Sequence, residues 1–264
     1  MKINLEGKKA FICSSSRGLG FSTAKILHNA GADIYIHGSK DSTAISAKEK
    51  ILQLNSSSEG SINTIGANLY NEKEVIEVAK EISSINPDIL ILNSGGPAAG
   101  GFESLIEQSA LEKEINMITS SAIQFINSAI EGMKIKKSGR IINISSIGLI
   151  KPIPVLAASN AARSMLHGLM VGMSSEYGEY NITFNTVCPG IIMTDRQTQL
   201  AEYDSRNQGI SIDEVFKNKS NMVPNKRMGD PEDIGSLICF LASDMAAYIT
   251  SQKIAVDGGL LGVF

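Results

Sequence analysis

Short apolar runs alternate with helix-length segments from one end of the chain to the other, and nothing else in the sequence constrains its fold as tightly. The runs at residues 9–13, 33–37, 61–65, 88–92, 140–144, 183–187 and 254–256 have strand length, and helical spacing occupies 18–30, 43–54, 71–84, 111–133, 158–177 and 230–242. This order calls for an α/β chain, a doubly wound parallel sheet with helices on both faces. The run Ile89-Leu90-Ile91-Leu92 is aliphatic at every position, as a central strand buried on both sides requires. Asp230 before Pro231 marks a helix start, with proline at the first helical position. Residues 194–225 break the rhythm; they are polar and weakly periodic and read as a helical flap over a site. The serines at 56–58, within 55–60, read as a surface loop.

At 264 residues and 43% apolar composition the chain has material for one large core, so a single domain spanning 1–264 is expected. Twenty-seven acids against 24 bases give a net charge of −3. That balance offers no single-sign field to attract nucleic acid or an anionic membrane. Apolar runs fall far below the ~20 residues that cross a bilayer. The first nine residues carry lysines at 2, 8 and 9 without a signal-peptide core, so the expected location is cytoplasmic. Cys13, Cys188 and Cys239 are odd in number, far apart and without CxxC spacing, which reads as buried thiols rather than a disulfide framework or a zinc site. His28, His37 and His167 form no HxxxH pair, so no metal is expected.

Open parallel sheets bind ligands beyond the carboxyl ends of their strands. Beyond the first strand stands Cys13-Ser14-Ser15-Ser16-Arg17-Gly18-Leu19-Gly20, a small-residue turn that opens a helix. Its glycines admit a close backbone approach, and the helix N-terminus presents unpaired N–H groups to a pyrophosphate. Asn93-Ser94-Gly95-Gly96 follows the fourth strand, Asn116 lies in the next helix, Ser145-Ser146 ends the fifth strand, and Pro189-Gly190 with Thr194 follows the sixth. Asp257-Gly258-Gly259 comes near the end. Over essentially its whole length this set resembles the short-chain dehydrogenase/reductase family. The stretches Arg227-Met-Gly-Asp-Pro-Glu-Asp-Ile, Phe240-Leu-Ala-Ser-Asp and Val256-Asp-Gly-Gly are especially similar to its reductases of 3-oxoacyl thioesters and of sugars. The resemblance implies a Rossmann-type fold and hydride transfer between NADP(H) or NAD(H) and a carbonyl or alcohol. It implies a homodimer or homotetramer, for which the Ala-, Ser-, Met- and Gly-rich helix at 158–177 would suit close helix approach. It places the cofactor against Ser14, Ser16, Arg17, Gly18, Leu19, Gly20, Ser39, Lys40, Asn68, Leu69, Asn93, Ser94, Gly95, Arg163, Pro189, Gly190, Ile192 and Thr194.

Two departures from the family pattern bear on function. The first loop glycine falls on Ser14, which still has an N–H to offer but adds a side chain beside the pyrophosphate. The family's YxxxK pair, counted thirteen and seventeen residues beyond Ser146, falls on Ser159 and Arg163; a three-residue deletion would instead place Leu156 and Asn160 there. A serine hydroxyl is much less acidic and shorter by a ring than a phenol, and a guanidinium stays protonated. The catalytic set is therefore read as Asn116, Ser146, Ser159 and Arg163, with Lys151, Asp195 or Tyr203 as alternative acids. At the end of the second strand the stretch His37-Gly38-Ser39-Lys40 has no acid before Asp41. With Arg17, Ser39 and Lys40 suit a 2′-phosphate, which favours NADP over NAD; His37 itself reads as a half-exposed strand residue. The reading with a different class of outcome is a nucleotide-binding homologue without redox chemistry, serving as a sensor or interaction subunit. Non-redox chemistry on a nucleotide-sugar or thioester is a third.

Overall fold

In a computed structural model describing residues 3–54, 59–95, 102–105 and 108–262, the alternation begins with β1 (Lys9–Ile12), α1 (Gly18–Asn29), β2 (Asp33–Gly38) and α2 (Asp41–Leu54). It continues through β3 (Ile62–Gly66), α3 (Glu72–Ile85), β4 (Ile89–Leu92), α4 (Gln108–Ile115), α5 (Ser121–Lys136), β5 (Gly139–Ile144) and α6 (Ala157–Tyr177). The last third comprises β6 (Ile182–Pro189), α7 (Asp195–Gln208), α8 (Ile212–Met222), α9 (Pro231–Ala242) and β7 (Lys253–Val256). The strands form one parallel sheet in the order β3-β2-β1-β4-β5-β6-β7. Chain direction across the sheet reverses between β1 and β4. That switch point opens a crevice at the carboxyl ends of both strands.

The pleat of β4 divides its four aliphatic side chains between two cores. Ile89 and Ile91 pack with residues of α1, α2 and α9, while Leu90 and Leu92 pack with residues of α3, α5 and α6. All four are at most 2% exposed. Each contributes about 1.5–3 kcal/mol by leaving water, so the strand bearing the Asn93 turn is anchored from both faces.

Residues 194–225 contain two helices, α7 and α8. Thr194 caps α7 by accepting the Gln197 N–H, and Ser211 caps α8 by accepting the Glu214 N–H. Residues 111–133 depart from the expected single helix. Helical winding loosens at Asn116–Ser120, where the Ser121 N–H reaches back five residues to the Asn116 carbonyl. The wider turn lets the Thr119 hydroxyl donate to the Ala162 carbonyl of α6 at 2.8 Å. Such turns are uncommon and frequently mark functional positions. At α9 the expected Asp230 start is present as a capping box, completed by Asp233, whose carboxylate accepts the Asp230 N–H at 2.8 Å. Residues 55–58 and Gly96 lie outside the described residues.

Candidate cofactor and active site

The turn after β1 is built from close contacts across the switch point. Gly18 has φ +57°, and a Cβ on Gly20 would stand 2.4 Å from the Ser14 carbonyl oxygen and 2.9 Å from Asn93 Nδ2. Glycine at both positions therefore follows from backbone geometry. Asn93 Nδ2 donates to the Ser14 carbonyl at 3.0 Å and ties the turn to the end of β4. Ser94 is half-buried and Gly95 exposed beside it. At the start of α1, Arg17 makes no capping hydrogen bond and is exposed, so side chains leave the first-turn N–H groups uncovered. Ser16, Gly18 and Leu19 line this start, each half-buried. An open, glycine-bordered helix N-terminus of this kind fits the pyrophosphate of a dinucleotide.

Ser14 and His37 correct the sequence reading. The Ser14 N–H is not offered to a ligand; it donates to His37 Nδ1 at 3.0 Å. His37 is 1% exposed rather than half-exposed, because the turn after β1 lies over the end of β2. Burial pushes its pKa down to about 4, with the Ala67 backbone opposing. Ser39 and Lys40 are exposed just beyond β2. Asn68 is exposed, and its Oδ1 accepts the Tyr70 N–H at 3.1 Å. The side chains of Leu69 and Ile192 lie in the cores at 8% and 5% exposure, so only their main chains face outward. Around Ile192 the ladder to Gly229 uses the Ile191 carbonyl and the Met193 N–H, leaving the Ile192 amide pointing away from it. Gly190 is fixed to β7 by donation to the Val256 carbonyl, with buried Pro189 before it. Thr194 Cγ2 stands 3.8 Å from where a Gly18 Cβ would be, so the β6 loop closes against the glycine turn.

Beyond the carboxyl end of β5, Ser159 and Arg163 of α6 meet. Arg163 is 8% exposed; its Nη1 donates to the Ile144 carbonyl at 3.1 Å and its Nε donates to Ser159 Oγ at 3.1 Å. Burial brings the guanidinium down to about 10, against the opposing influence of Cys188 and Glu114, so it stays charged at neutral pH. Ser146 is half-buried, and its Oγ accepts the Gly148 N–H at 3.1 Å. Asn160, beside Ser159 on α6, closes against Gly148, so α6 and the Ser146 turn share one wall. The exposed Asn116 accepts the Ser120 hydroxyl at 3.3 Å. Lys151, Asp195 and Tyr203 are all exposed, Tyr203 at 60%. Sequence reasoning passed over Glu114, two residues before Asn116. Its carboxyl is raised by burial, with Lys113, the Tyr70 hydroxyl and Arg163 opposing, and its Oε2 is buried without a partner. A carboxylate so close to the candidate Asn116 in sequence was the available signal.

All three cysteines are buried and free, and among the described residues no group of His, Cys, Asp and Glu could hold a metal. No helix there is long and apolar enough to cross a membrane. A family model described as enoyl-(acyl carrier protein) reductase matches residues 13–261. The 3-oxoacyl-(acyl-carrier-protein) reductase FabG of Rickettsia prowazekii (strain Madrid E) is 31% identical over 261 residues, covering 99% of this chain and 100% of its own. Among solved structures, YwfH, an NADPH-dependent reductase involved in bacilysin biosynthesis, has a TM-score of 0.89 at 27% identity, covering 97% of this chain and 99% of its own. A 3-oxoacyl (acyl-carrier-protein) reductase from Agrobacterium tumefaciens C58 with NADP bound has a TM-score of 0.86 at 25% identity, covering 97% and 95%. Switch-point crevice, glycine turn and full-length family match agree: this chain belongs to the short-chain dehydrogenase/reductase family.

Proposed function

We propose that the protein is an NADP(H)-preferring oxidoreductase that interconverts a carbonyl compound and its alcohol, with Ser159 and Arg163 working where the family has tyrosine and lysine. One observation carries this reading: Ser159 Oγ accepts the Arg163 Nε–H, so the serine's own hydrogen is left to donate. NADPH, when bound, supplies the hydride. Ser14 to Gly20, Asn93 to Gly95 and the loop from Pro189 to Thr194 are the residues to hold it, with Arg17, Ser39 and Lys40 receiving a 2′-phosphate. NADPH dependence in YwfH and bound NADP in the Agrobacterium reductase support that preference.

The hydroxyls of Ser159 and Ser146 hydrogen-bond the substrate carbonyl oxygen, and the buried Arg163 charge stabilises the negative charge that grows there. The proton that completes the alcohol comes from water, which the exposed Asn116 amide can hold. Replacing a phenol with this arrangement forgoes an acid worth about 10²–10⁴ in rate while keeping electrostatic stabilisation and positioning. The 3-oxoacyl reductase relatives support a 3-oxoacyl thioester or comparable ketone as substrate. A second copy of the chain is the expected partner, through the face of α6 that exposes Met165, Leu169 and Val171.

The test is turnover across 3-oxoacyl thioesters, keto sugars and other ketones, followed by nicotinamide absorbance. The wild type consumes NADPH with at least one of them. Ser159→Ala lowers kcat about 10–100-fold, a little less than loss of a dedicated oxyanion donor, with the Kd for NADPH unchanged. Turnover untouched by Ser159→Ala removes the serine from the mechanism. Binding without turnover of any carbonyl or alcohol favours a sensor or interaction subunit.

A further inference from the structure

Ser14 sits with φ +47° in the turn after β1, a left-handed conformation that side-chain-bearing residues rarely adopt. Both of its backbone polar groups are held from outside the turn, by Asn93 just beyond β4 and by His37 of β2. Its carbonyl accepts from Asn93 Nδ2 at 3.0 Å, and its N–H donates to His37 Nδ1 at 3.0 Å. Because the amide is a donor, Nδ1 must carry the lone pair and Nε2 the hydrogen. Around the ring, Phe11 packs at 6.3 Å between centroids, Cys13 Sγ stands 4.0 Å from Nδ1 as a second, weaker contact, and the Ala67 backbone lies close enough to act on the imidazole. The end of β2 is further bound to the turn by Ser15, whose Oγ accepts the His37 N–H and whose N–H donates to the His37 carbonyl.

We propose that His37 is a positioning residue of the cofactor turn: its neutral imidazole and Asn93 together hold Ser14 in the conformation that glycine adopts without help. The inference rests on the NADP(H) reading above and deepens it. The serine departure in the turn and the histidine at the end of β2 are then one device, a ring acceptor compensating for a missing glycine. Gly18, Gly20 and the start of α1 follow directly from Ser14, so the clamp sets where the pyrophosphate-facing amides point. His37 reaches the nucleotide only through this turn.

The test is a double-mutant cycle on the full chain, read by denaturation of the nucleotide-free protein and by NADPH titration. His37→Phe keeps a ring but removes the acceptor and leaves the Ser14 N–H stranded. It is expected to lower the denaturation midpoint and weaken NADPH about five- to tenfold, the worth of one hydrogen bond, with kcat at saturating NADPH nearly unchanged. His37→Asn, whose Oδ1 occupies the place of Nδ1, restores most of both. His37→Gln, whose amide reaches toward Nε2 instead, is a milder loss of the acceptor that reports the same effect if the phenylalanine variant does not fold. In a Ser14→Gly background the loss on removing the acceptor shrinks to less than half, because glycine holds the turn unaided. Equal losses in both backgrounds, an asparagine variant no better than the glutamine variant, or unchanged NADPH affinity would each overturn the proposal. A wild type that binds no nucleotide overturns the functional reading and the positioning role with it, and the cycle in nucleotide-free protein still reports separately on the clamp.

Discussion

His37 carries a pH signature that follows from its burial. Its pKa is pushed down to about 4 from 6.5, and burial lowers His28 and His167 as well. As pH falls below about 6.5 the unfolded chain takes up protons that the folded chain refuses, so the stability of the neutral rings is complete above that pH and is lost on the way down to about 4. For His37 alone the loss is roughly 3 kcal/mol. Urea titrations at pH 7 and pH 4.5 should show a smaller drop for His37→Asn than for the wild type; identical drops would mean that the ring is not held neutral. At this scale the glycine turn and Asn93 were legible, because their residues form contiguous motifs. The His37 contact was not, since it joins the turn after β1 to the end of β2 across 23 residues. On β2, His37 lies on the same face as half-buried Tyr35, and the overlying turn buries it.

Among the elements, α9 shows how a start signal can be legible while only part of its chemistry is. Asp230 and Pro231 announce the helix, and the capping box they open is completed by Asp233, whose carboxylate accepts the Asp230 N–H and also takes both Arg227 Nη1 and Nη2 at 2.7 and 3.0 Å. That pairing and the Asp230 N–H hold Asp233 below the usual carboxylate range. Its contribution to stability is therefore present above pH ~4 and is lost as pH falls through the lowered value. Asp233→Ala is expected to cost about 1 kcal/mol at pH 7, the usual worth of a helix cap, with less difference from the wild type in strong acid. An unchanged denaturation midpoint at pH 7 would remove the cap from the account. The turn at Asn116–Ser120 was illegible for a different reason. Its local sequence, Asn-Met-Ile-Thr-Ser, keeps helical periodicity, and the widening is tied to Thr119 reaching the carbonyl of Ala162, 43 residues away.

At the scale of the whole molecule the sheet was legible nearly to the residue, since parallel strands buried on both faces must be aliphatic. The segment 194–225 was legible only as helical, because few of its residues face a core: Ala201 and Val215 are its buried apolar positions within α7 and α8. On α6, Met165, Leu169 and Val171 are 48%, 38% and 38% exposed, and a Cβ at Gly168 or Gly172 would meet nothing within 4 Å. Apolar surface beside such open positions suits a second copy of the helix. Sedimentation should give a mass above one chain for the wild type and a shift toward the monomer for Met165→Glu combined with Leu169→Glu; a wild-type monomer would contradict the assembly. The central claim is that a short-chain dehydrogenase/reductase site with serine and arginine in its reacting pair still works on a nicotinamide nucleotide. Titrating the purified protein with NADPH and NADH, by nucleotide fluorescence and thermal shift, tests it most directly, because a ligand that binds only the folded state raises its stability by mass action. The account predicts saturable binding with NADPH tighter than NADH, and absence of binding by either nucleotide would contradict it.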